Sequence, residues 1–366
     1  MSFSKRTEAN SPYIVWAKLK SHAKYNLATS GVANYPLAKL NVRIEDIEIT
    51  GSGGHYGYGP LQERLAKHCD VPEECVVAAI GTSMSNFLAY CGTLNAGDDI
   101  ILEHPAYGPM VEAAEFLGAN IVPLHRRFEN GFAIDPVDVQ RAVTPRTRLI
   151  SLTNLHNPSG AFLTTETLRA IGKIAESAGA HVMVDEVYLD MLFDPAVRSS
   201  FHLGGPFIAT SSLTKVYGLS GIRCGWILAP KELAQRIFRI NDLFGNVNAY
   251  PAELLSVIAF DHFAEIRSRA RALLSANRAL LNQFLASRTD IEFFPPAAGT
   301  VVFPRLKKGN TEDFIKLLRE KYETSVVPGR FFDMPQHFRV GVGGETEEVR
   351  AALAQLAAGL DDFSAH

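Results

Sequence analysis

Apolar and polar positions along the middle of the chain form short apolar runs separated by longer amphipathic segments. The runs 149–152 and 182–184 are almost continuously apolar, which is typical of strands covered on both faces. Strands that alternate with helices in this way indicate an α/β fold with a mostly parallel central sheet flanked by helices. The predicted strands are residues 75–79, 99–102, 120–124, 147–153, 181–185, 206–210 and 224–228, and the predicted helices between them include 85–94, 109–117 and 165–178.

The pattern changes after about residue 245. One long stretch, 252–285, has the apolar spacing of a helix, and short strands at 299–303 and 338–342 and helices at 311–322 and 346–360 follow it. This mixture predicts a smaller α+β domain. We therefore expect three parts: an N-terminal segment, 1–45, that packs on the small domain; a large α/β domain, 46–245; and a connecting helix with the small domain, 246–366.

Composition and charge narrow the classes of function. The net charge of −3 gives no electrostatic reason to expect nucleic acid or an anionic membrane as a partner. We expect neither a signal peptide nor a transmembrane helix, because no apolar run has the necessary length. The four cysteines lack the paired short spacing of a zinc site, so we expect free thiols, no metal centre and a cytoplasmic protein.

Polar residues stand at the ends of the predicted strands, and ligands of parallel sheets gather at the carboxyl ends of the strands. Lys215 lies there within SSLTKVYGLSGIRCG, residues 211–225, framed by hydroxyls, glycines and an arginine. Such a lysine is usually a solvated surface residue, but this setting also suits an amine that carries a cofactor. The other polar residues at strand ends are Thr82, Ser83, Asn157, Asp185, Tyr188 and Ser212.

An anion site is indicated where the first of these strands passes into a helix. In Gly81-Thr82-Ser83-Met84-Ser85, backbone donors and hydroxyls would face an anion at the helix N-terminus, although an ordinary N-cap has the same composition. Ser212 and Arg223 could bring a hydroxyl and a cation to the same anion. No G-x-G-x-x-G follows a strand, so a dinucleotide is the weaker candidate.

Asp185 follows a buried apolar strand, where a carboxylate needs a cationic partner. The sequence has no clustered metal ligands nearby, and a protonated pyridine nitrogen would serve as well. Tyr188 could bond a phenolate oxygen on the same ring, or be a half-buried core tyrosine. Asn157 precedes Pro158 and is therefore held extended, which could aim its amide at a ligand, whereas the neighbouring His156 is expected to be structural.

Four motifs carry a resemblance to a known family. They are N-P-S-G at 157–160, D-E-V-Y at 185–188, S-x-x-K at 212–215 with an arginine eight residues on, and F-R-V at 338–340. In this order and spacing they resemble the class I/II aminotransferases, fold-type-I enzymes that depend on pyridoxal 5′-phosphate. The resemblance runs from about Tyr25 to the C-terminal helix.

The resemblance implies a role for each matching residue. Lys215 would hold the cofactor as an internal aldimine and act as the catalytic base, and Asp185 would keep the pyridine nitrogen protonated. Arg339 would clamp the α-carboxylate of the substrate. The remaining implied contacts are Tyr188 and Asn157 to the phenolic oxygen of the ring, Tyr107 stacked on the ring, Thr82, Ser83, Ser212 and Arg223 at the phosphate, and Gly31, Val32 and Asn157 at the substrate.

The same resemblance implies a homodimer with shared active sites, because Tyr56 would reach the phosphate of the neighbouring subunit, a role for which Tyr58 competes. The reaction expected is transfer of an amino group from an α-amino acid to a 2-oxo acid. A C–S lyase of the same fold is the alternative, and a pyridoxal phosphate-binding regulator is a further one. The substrate side chain is left open: cations that could bind a distal carboxylate are Lys39, Arg43, Arg126 and Arg127.

Overall fold

The computed structural model describes residues 10–50, 58–245 and 247–365, so that Tyr56 lies outside the described residues. Seven strands form the central sheet in the order β2-β8-β7-β6-β5-β3-β4. These strands are β2 (Val76–Ile80), β3 (Asp99–His104), β4 (Asn120–His125), β5 (Thr147–Thr153), β6 (His181–Asp185), β7 (Phe207–Ser212) and β8 (Cys224–Leu228), preceded in the chain by the short β1 (Tyr25–Asn26).

The sheet confirms the predicted α/β class. Strands β4, β3, β5, β6 and β7 are parallel, whereas β8 is antiparallel to both β7 and β2. The chain reverses into β8 through the short connection 213–223, which contains no crossover helix of the kind that parallel neighbours require. The register places Thr153 opposite Asp185, and Asp185 opposite Thr210, at the carboxyl ends of three neighbouring strands.

Helices cover both faces of this sheet. Successive residues of a strand point to opposite faces, so Val182 and Val184 pack in one apolar core while Met183 packs in the other. The helices of this part of the chain are α1 (Pro12–Leu19), α2 (Gly59–Cys69), α3 (Thr82–Thr93), α4 (Gly108–Leu117), α5 (Pro136–Ala142), α6 (Thr165–Ala178) and α7 (Lys231–Asn241).

The predicted long helix 252–285 is two helices, α8 (Tyr250–Asp261) and α9 (Phe263–Ala286). The chain leaves helical geometry at His262, with φ −99° and ψ 14°. The break lets Phe260 and Phe263 both pack against the ring of His68, at centroid distances of 5.3 and 4.7 Å. The prediction of one continuous helix was therefore wrong, because the apolar periodicity of the sequence continues across the break.

The C-terminal part contains small sheets packed on helices. Strand β14 lies between β10 and β13 and is antiparallel to both, and β1 pairs in parallel with β12. A separate apolar core joins Leu27 to the C-terminal helices, while Val32 and Leu40 pack in the core of the large part. These elements are β9 (Ile291–Glu292), β10 (Val301–Val302), β11 (Arg305–Leu306), α10 (Thr311–Lys321), β12 (Thr324–Ser325), β13 (Val327–Pro328), β14 (Phe338–Gly341) and α11 (Thr346–Ser364).

The N-terminal segment thus contacts both cores, and the division at residues 45 and 245 stays a prediction. All four cysteines are free thiols. Among the helices of the described residues, none combines the length and the apolar character needed to cross a bilayer.

Candidate active site

A cavity of about 710 Å³ opens at the carboxyl ends of β5, β6 and β7. It collects residues that are far apart in the sequence, because parallel strands end at one edge of the sheet. Of the predicted site residues, those lining it are Thr82, Ser83, Tyr107, Asn157, Asp185, Tyr188, Ser212, Lys215 and Arg223. Tyr58 does not line it and packs edge-on against Tyr250, at a centroid distance of 5.1 Å.

Asp185 is held at the end of β6 by two donors. The side-chain amide of Asn86 donates to Oδ2 at 2.7 Å, and the backbone N–H of Val187 donates to Oδ1 at 3.0 Å. The carbonyl oxygen of Asn86 accepts in turn from the Thr210 hydroxyl at 2.5 Å, which fixes the orientation of the amide. Burial raises the pKa of Asp185 to about 6, although both donors and Lys215 act in the opposite direction. The carboxylate therefore gains from any cation that enters the cavity.

Lys215 follows β7 and reaches into the cavity from the connection to β8. Its ammonium makes no hydrogen bond or ion pair with the residues in the described ranges. Burial lowers the pKa of Lys215, and the charges of Arg339 and Arg223 lower it further, against the influence of Tyr13 and Asp185. At neutral pH a larger fraction of a lysine in this setting is uncharged than of an exposed lysine, so more of it can act as a nucleophile or accept a proton.

The segment containing Gly31 and Val32 packs against Lys215. The Val32 N–H donates to the Lys215 carbonyl at 2.7 Å, and a Cβ added to Gly31 would lie 3.5 Å from Cδ of Lys215. The two predicted substrate-contact residues thus border the lysine from the N-terminal segment. Val32 thereby holds the main chain of Lys215, and neither Gly31 nor Val32 lines the cavity.

The predicted anion corner is assembled at the start of α3. The Thr82 hydroxyl donates to the Ser212 hydroxyl at 2.8 Å, and Nη2 of Arg223 donates to the Ile80 carbonyl at 3.2 Å. Gly81 has φ +83°, and a Cβ at this position would collide with the Arg223 guanidinium. The absence of a side chain there lets the arginine approach the helix N-terminus, where backbone donors and a cation favour an anion.

Tyr188, Tyr107 and Asn157 surround the centre of the cavity. The Tyr188 and Ser30 hydroxyls are 2.7 Å apart, and burial raises the pKa of Tyr188 to about 12. Tyr107 is hydrogen-bonded to Ser83, and burial raises its pKa as well. Both phenols are therefore neutral hydrogen-bonding groups at physiological pH.

Arg339, on β14, is fully buried behind the cavity, with 0% of its surface exposed. It donates from Nη1 to Asn157 Oδ1 at 2.7 Å, and from Nη2 to the Tyr13 hydroxyl at 3.1 Å and the Ala28 carbonyl at 2.9 Å. Its Nε donor has no partner, and none of its acceptors in the described part of the chain is a carboxylate. A buried guanidinium with neutral partners and a free donor is poised to bind an anion.

His156 has the structural role expected of it. Its Nε2 donates to the Pro105 carbonyl at 2.9 Å, so that Nδ1, 2.6 Å from the Ser159 hydroxyl, accepts. Burial lowers its pKa well below the usual range, which keeps the ring neutral and both bonds intact. His156 thus ties the turn that carries Asn157 to the loop that precedes Tyr107.

The cations suggested by the sequence for a distal carboxylate lie outside the cavity. Arg126 is buried in an ion pair with Glu103, 2.7 Å away, and Arg43 pairs with Asp46 at 3.0 Å. Lys39 and Arg127 are exposed and do not line the cavity. Lys18 of α1 does line it, and nothing in the sequence distinguished this lysine from the other exposed lysines.

Sequence reasoning also missed Tyr13 and Asn86. Tyr13 lines the cavity from α1, before the first recognisable motif, and Asn86 lies inside α3 rather than at a strand end. Asn86 could have been suspected, because an asparagine in a mostly apolar helical segment needs a buried partner. Tyr13 carried no such signal.

Comparison with known proteins agrees with these motifs. The family model described as "Aminotransferase class I and II" matches residues 37–356. Among curated proteins, capreomycidine synthase of Streptomyces vinaceus is 28% identical over 347 residues, covering 91% of this chain and 89% of that protein.

Two solved structures are also similar. A PLP-dependent aminotransferase from Streptococcus suis superposes with a TM-score of 0.88 at 25% identity, covering 97% of this chain and 99% of the other. The PLP-dependent cyclase OrfR superposes with a TM-score of 0.87 at 25% identity, covering 97% of this chain and 98% of the other. The cavity lies within a fold that hosts more than one reaction.

Replacing Asn86 by Ala should raise the pKa of Asp185 above its value of about 6, because the variant loses a donor that lowers it. The pKa can be followed by carbon NMR of protein labelled in the aspartate carboxyl groups. Asn130→Ala, in an exposed turn, is the matched control and should leave it unchanged. An unaltered Asp185 pKa in Asn86→Ala would show that the amide does not stabilise the carboxylate.

Proposed function

Because the chain belongs to the aminotransferase class I and II family, we propose that it binds pyridoxal 5′-phosphate in this cavity and uses it to transfer an amino group from an α-amino acid to a 2-oxo acid. The family, the fold and the enzyme class are those that the motifs predicted. The observation that carries the proposal is the convergence of Lys215, Asp185 and Arg223 on one cavity, with Arg339 directly behind it.

The residues present fit this cofactor. Arg223, Gly81 and the hydroxyls of Thr82, Ser83 and Ser212 form a corner suited to a phosphate. Asp185 offers a buried carboxylate that has no ion pair within the described ranges, which suits a protonated ring nitrogen. Tyr107 supplies an aromatic ring, and Tyr188 and Asn157 supply hydrogen-bonding groups for the substituents of the cofactor ring.

When bound, pyridoxal phosphate supplies an aldehyde carbon that takes up amino groups and a ring that delocalises electrons. The chain's own residues then bind, orient and move protons. Asp185, fixed by Asn86, keeps its partner nitrogen charged. Lys215 Nζ, with its lowered pKa, accepts the proton from Cα of the substrate.

Arg339 orients the substrate through its α-carboxylate. A planar guanidinium binds a carboxylate with two parallel hydrogen bonds, and the unpartnered Nε of Arg339 shows spare donor capacity. Holding the carboxylate fixes Cα relative to Lys215, so that the proton is the group that leaves. Loss of the carboxylate itself, as in a decarboxylase, is disfavoured by the same contact.

The second candidate, a C–S lyase on the same cofactor, has less support; the likeness to a synthase and to a cyclase indicates only that the fold hosts other reactions as well. Both reactions begin with removal of the Cα proton. They differ in the product, since a transaminase keeps the amino group on the cofactor until a 2-oxo acid removes it. A lyase or cyclase needs no acceptor.

We predict that the loaded enzyme, given an amino acid and no acceptor, releases about one 2-oxo acid per site and then stops until a 2-oxo acid is added. Three donors should be tested. Alanine has no β-leaving group and cysteine has one. Glutamate has a distal carboxylate that Lys18, which lines the cavity, could bind. Lys215→Ala should lose at least about a thousandfold in rate, since of the two lysines that line the cavity, Lys18 and Lys215, it is Lys215 whose charge acts on Asp185. Continuous release of sulfide, ammonia and pyruvate from cysteine, with no half-reaction for any donor, would assign the lyase instead.

We also infer that the chain works as a homodimer whose interface adjoins the anion corner. Apolar side chains are exposed there: Ile80 is 46% exposed, Leu243 80% and Phe244 51%. Phe244 packs on Phe87 of α3, at a centroid distance of 5.4 Å, so the apolar surface is continuous with the helix that begins at Thr82. A partner on this surface could contribute Tyr56 or Tyr58 to the phosphate.

Sedimentation velocity at micromolar concentration should therefore show a dimer, and Leu243→Asp should shift it toward monomer while lowering activity. Leu19→Asp changes another exposed leucine, 73% exposed on α1, and should leave the dimer intact. Buried charge at an apolar interface is costly, whereas the same charge at a solvated position is not. A monomer with full activity would contradict the shared site.

A further inference from the structure

Tyr13 separates Arg339 from the cavity. Its side chain lines the cavity, whereas Arg339 does not and is 0% exposed. The Tyr13 hydroxyl accepts from Nη2 of Arg339 at 3.1 Å, and the Arg339 guanidinium carbon lies 5.8 Å from the centre of the Tyr13 ring. A carboxylate that enters the cavity meets the tyrosine before it meets the arginine.

The donors of Arg339 show what such a carboxylate must displace. Both N–H groups of Nη2 are used, by Tyr13 and by the Ala28 carbonyl, and one N–H of Nη1 is used by Asn157. Nε and the second N–H of Nη1 remain, and these two do not lie on a common edge of the guanidinium. A carboxylate bound by two parallel hydrogen bonds therefore needs a donor that is now occupied.

Of the three acceptors, Tyr13 is the one that can be exchanged. Ala28 contributes a backbone carbonyl, and Asn157 is fixed by a turn and by its own N–H, which donates to the Thr153 hydroxyl at 3.3 Å. Tyr13 belongs to α1, a helix of 8 residues in which it is the one buried residue. Movement of α1 can withdraw the hydroxyl without disturbing the sheet.

The surroundings of the Tyr13 hydroxyl are positively charged. Burial alone would raise the pKa of Tyr13, but the positive charges of Arg339 and Lys215 outweigh it and lower the pKa below the usual value. The hydroxyl oxygen thus lies where nearby cations stabilise negative charge, as the binding of a carboxylate oxygen requires.

We propose that the Tyr13 hydroxyl occupies the place of one α-carboxylate oxygen on Arg339, and that substrate binding exchanges the two. Tyr13 then sets the affinity for every substrate that carries an α-carboxylate, whatever its side chain. The inference rests on the proposed function, because it takes Arg339 to be the carboxylate-binding group. No covalent step is involved.

The test is calorimetric binding of carboxylates that lack an amino group and therefore cannot react: propanoate, glutarate and 3-phenylpropanoate, added to the pyridoxal phosphate-loaded enzyme. Tyr13→Phe keeps the ring, which packs on Tyr107 and Phe332 at centroid distances of 5.7 and 5.8 Å, and removes only the hydroxyl. We expect the variant to bind the carboxylates about tenfold more tightly, since the ligand no longer competes with a hydrogen bond to a charged group.

Two controls separate the possible failures. Tyr35→Phe, in the core beside Arg269, should bind like wild type, and Arg339→Met should not bind. The dissociation constant for pyridoxal phosphate should be unchanged in Tyr13→Phe. Equal or weaker carboxylate binding by Tyr13→Phe, with normal binding by wild type, would overturn the Tyr13 inference and leave the proposed function standing. Wild-type binding that survives Arg339→Met, or no binding by wild type at all, would overturn both.

Discussion

The charge balance of the cavity is the constraint on which the site depends. Arg339 is fully buried with neutral hydrogen-bond partners, Lys215 has no ionic partner in the described ranges, and Asp185 is buried with a raised pKa. Burying unpaired charges is costly, so this arrangement reduces the stability of the protein without its ligands. A ligand with a phosphate, a protonatable nitrogen and an aldehyde, followed by a substrate carboxylate, would neutralise each of these groups in turn.

The fold tolerates this loss of stability because hydrogen bonds fix the side chains at the strand ends. The register of β5, β6 and β7 places Thr153, Asp185 and Thr210 in one row, and the pair Asn86–Thr210 holds the carboxylate from the side of α3. Beneath the row, the Thr153 hydroxyl donates to Glu103 at 2.5 Å, and Glu103 is paired with Arg126. The buried Arg126, which the sequence offered as a substrate cation, thus supports the floor of the site instead.

The site residues that could be predicted from the sequence are polar or charged residues at the ends of apolar strands. Asp185 after an apolar strand is costly unless it has a partner, and Lys215 is notable for its surrounding glycines, hydroxyls and arginine; the structure brings both to one cavity. Tyr13 and Lys18 were not predicted, because no motif marks the segment of α1 and its docking depends on contacts distant in sequence, such as that to Arg339. The break at His262 was not predicted, because the helical periodicity of apolar residues continues across it.

The most direct test of the account is to locate the attachment point of the cofactor. Sodium borohydride converts a reversible C=N link between an aldehyde and a lysine into a stable amine, which peptide mass spectrometry can assign to a residue. The account predicts a phosphopyridoxyl group on Lys215 alone, with its burial-lowered pKa, and none on Lys18, the lysine of α1 that lines the same cavity. Modification of Lys18 or of a surface lysine in place of Lys215 would contradict it.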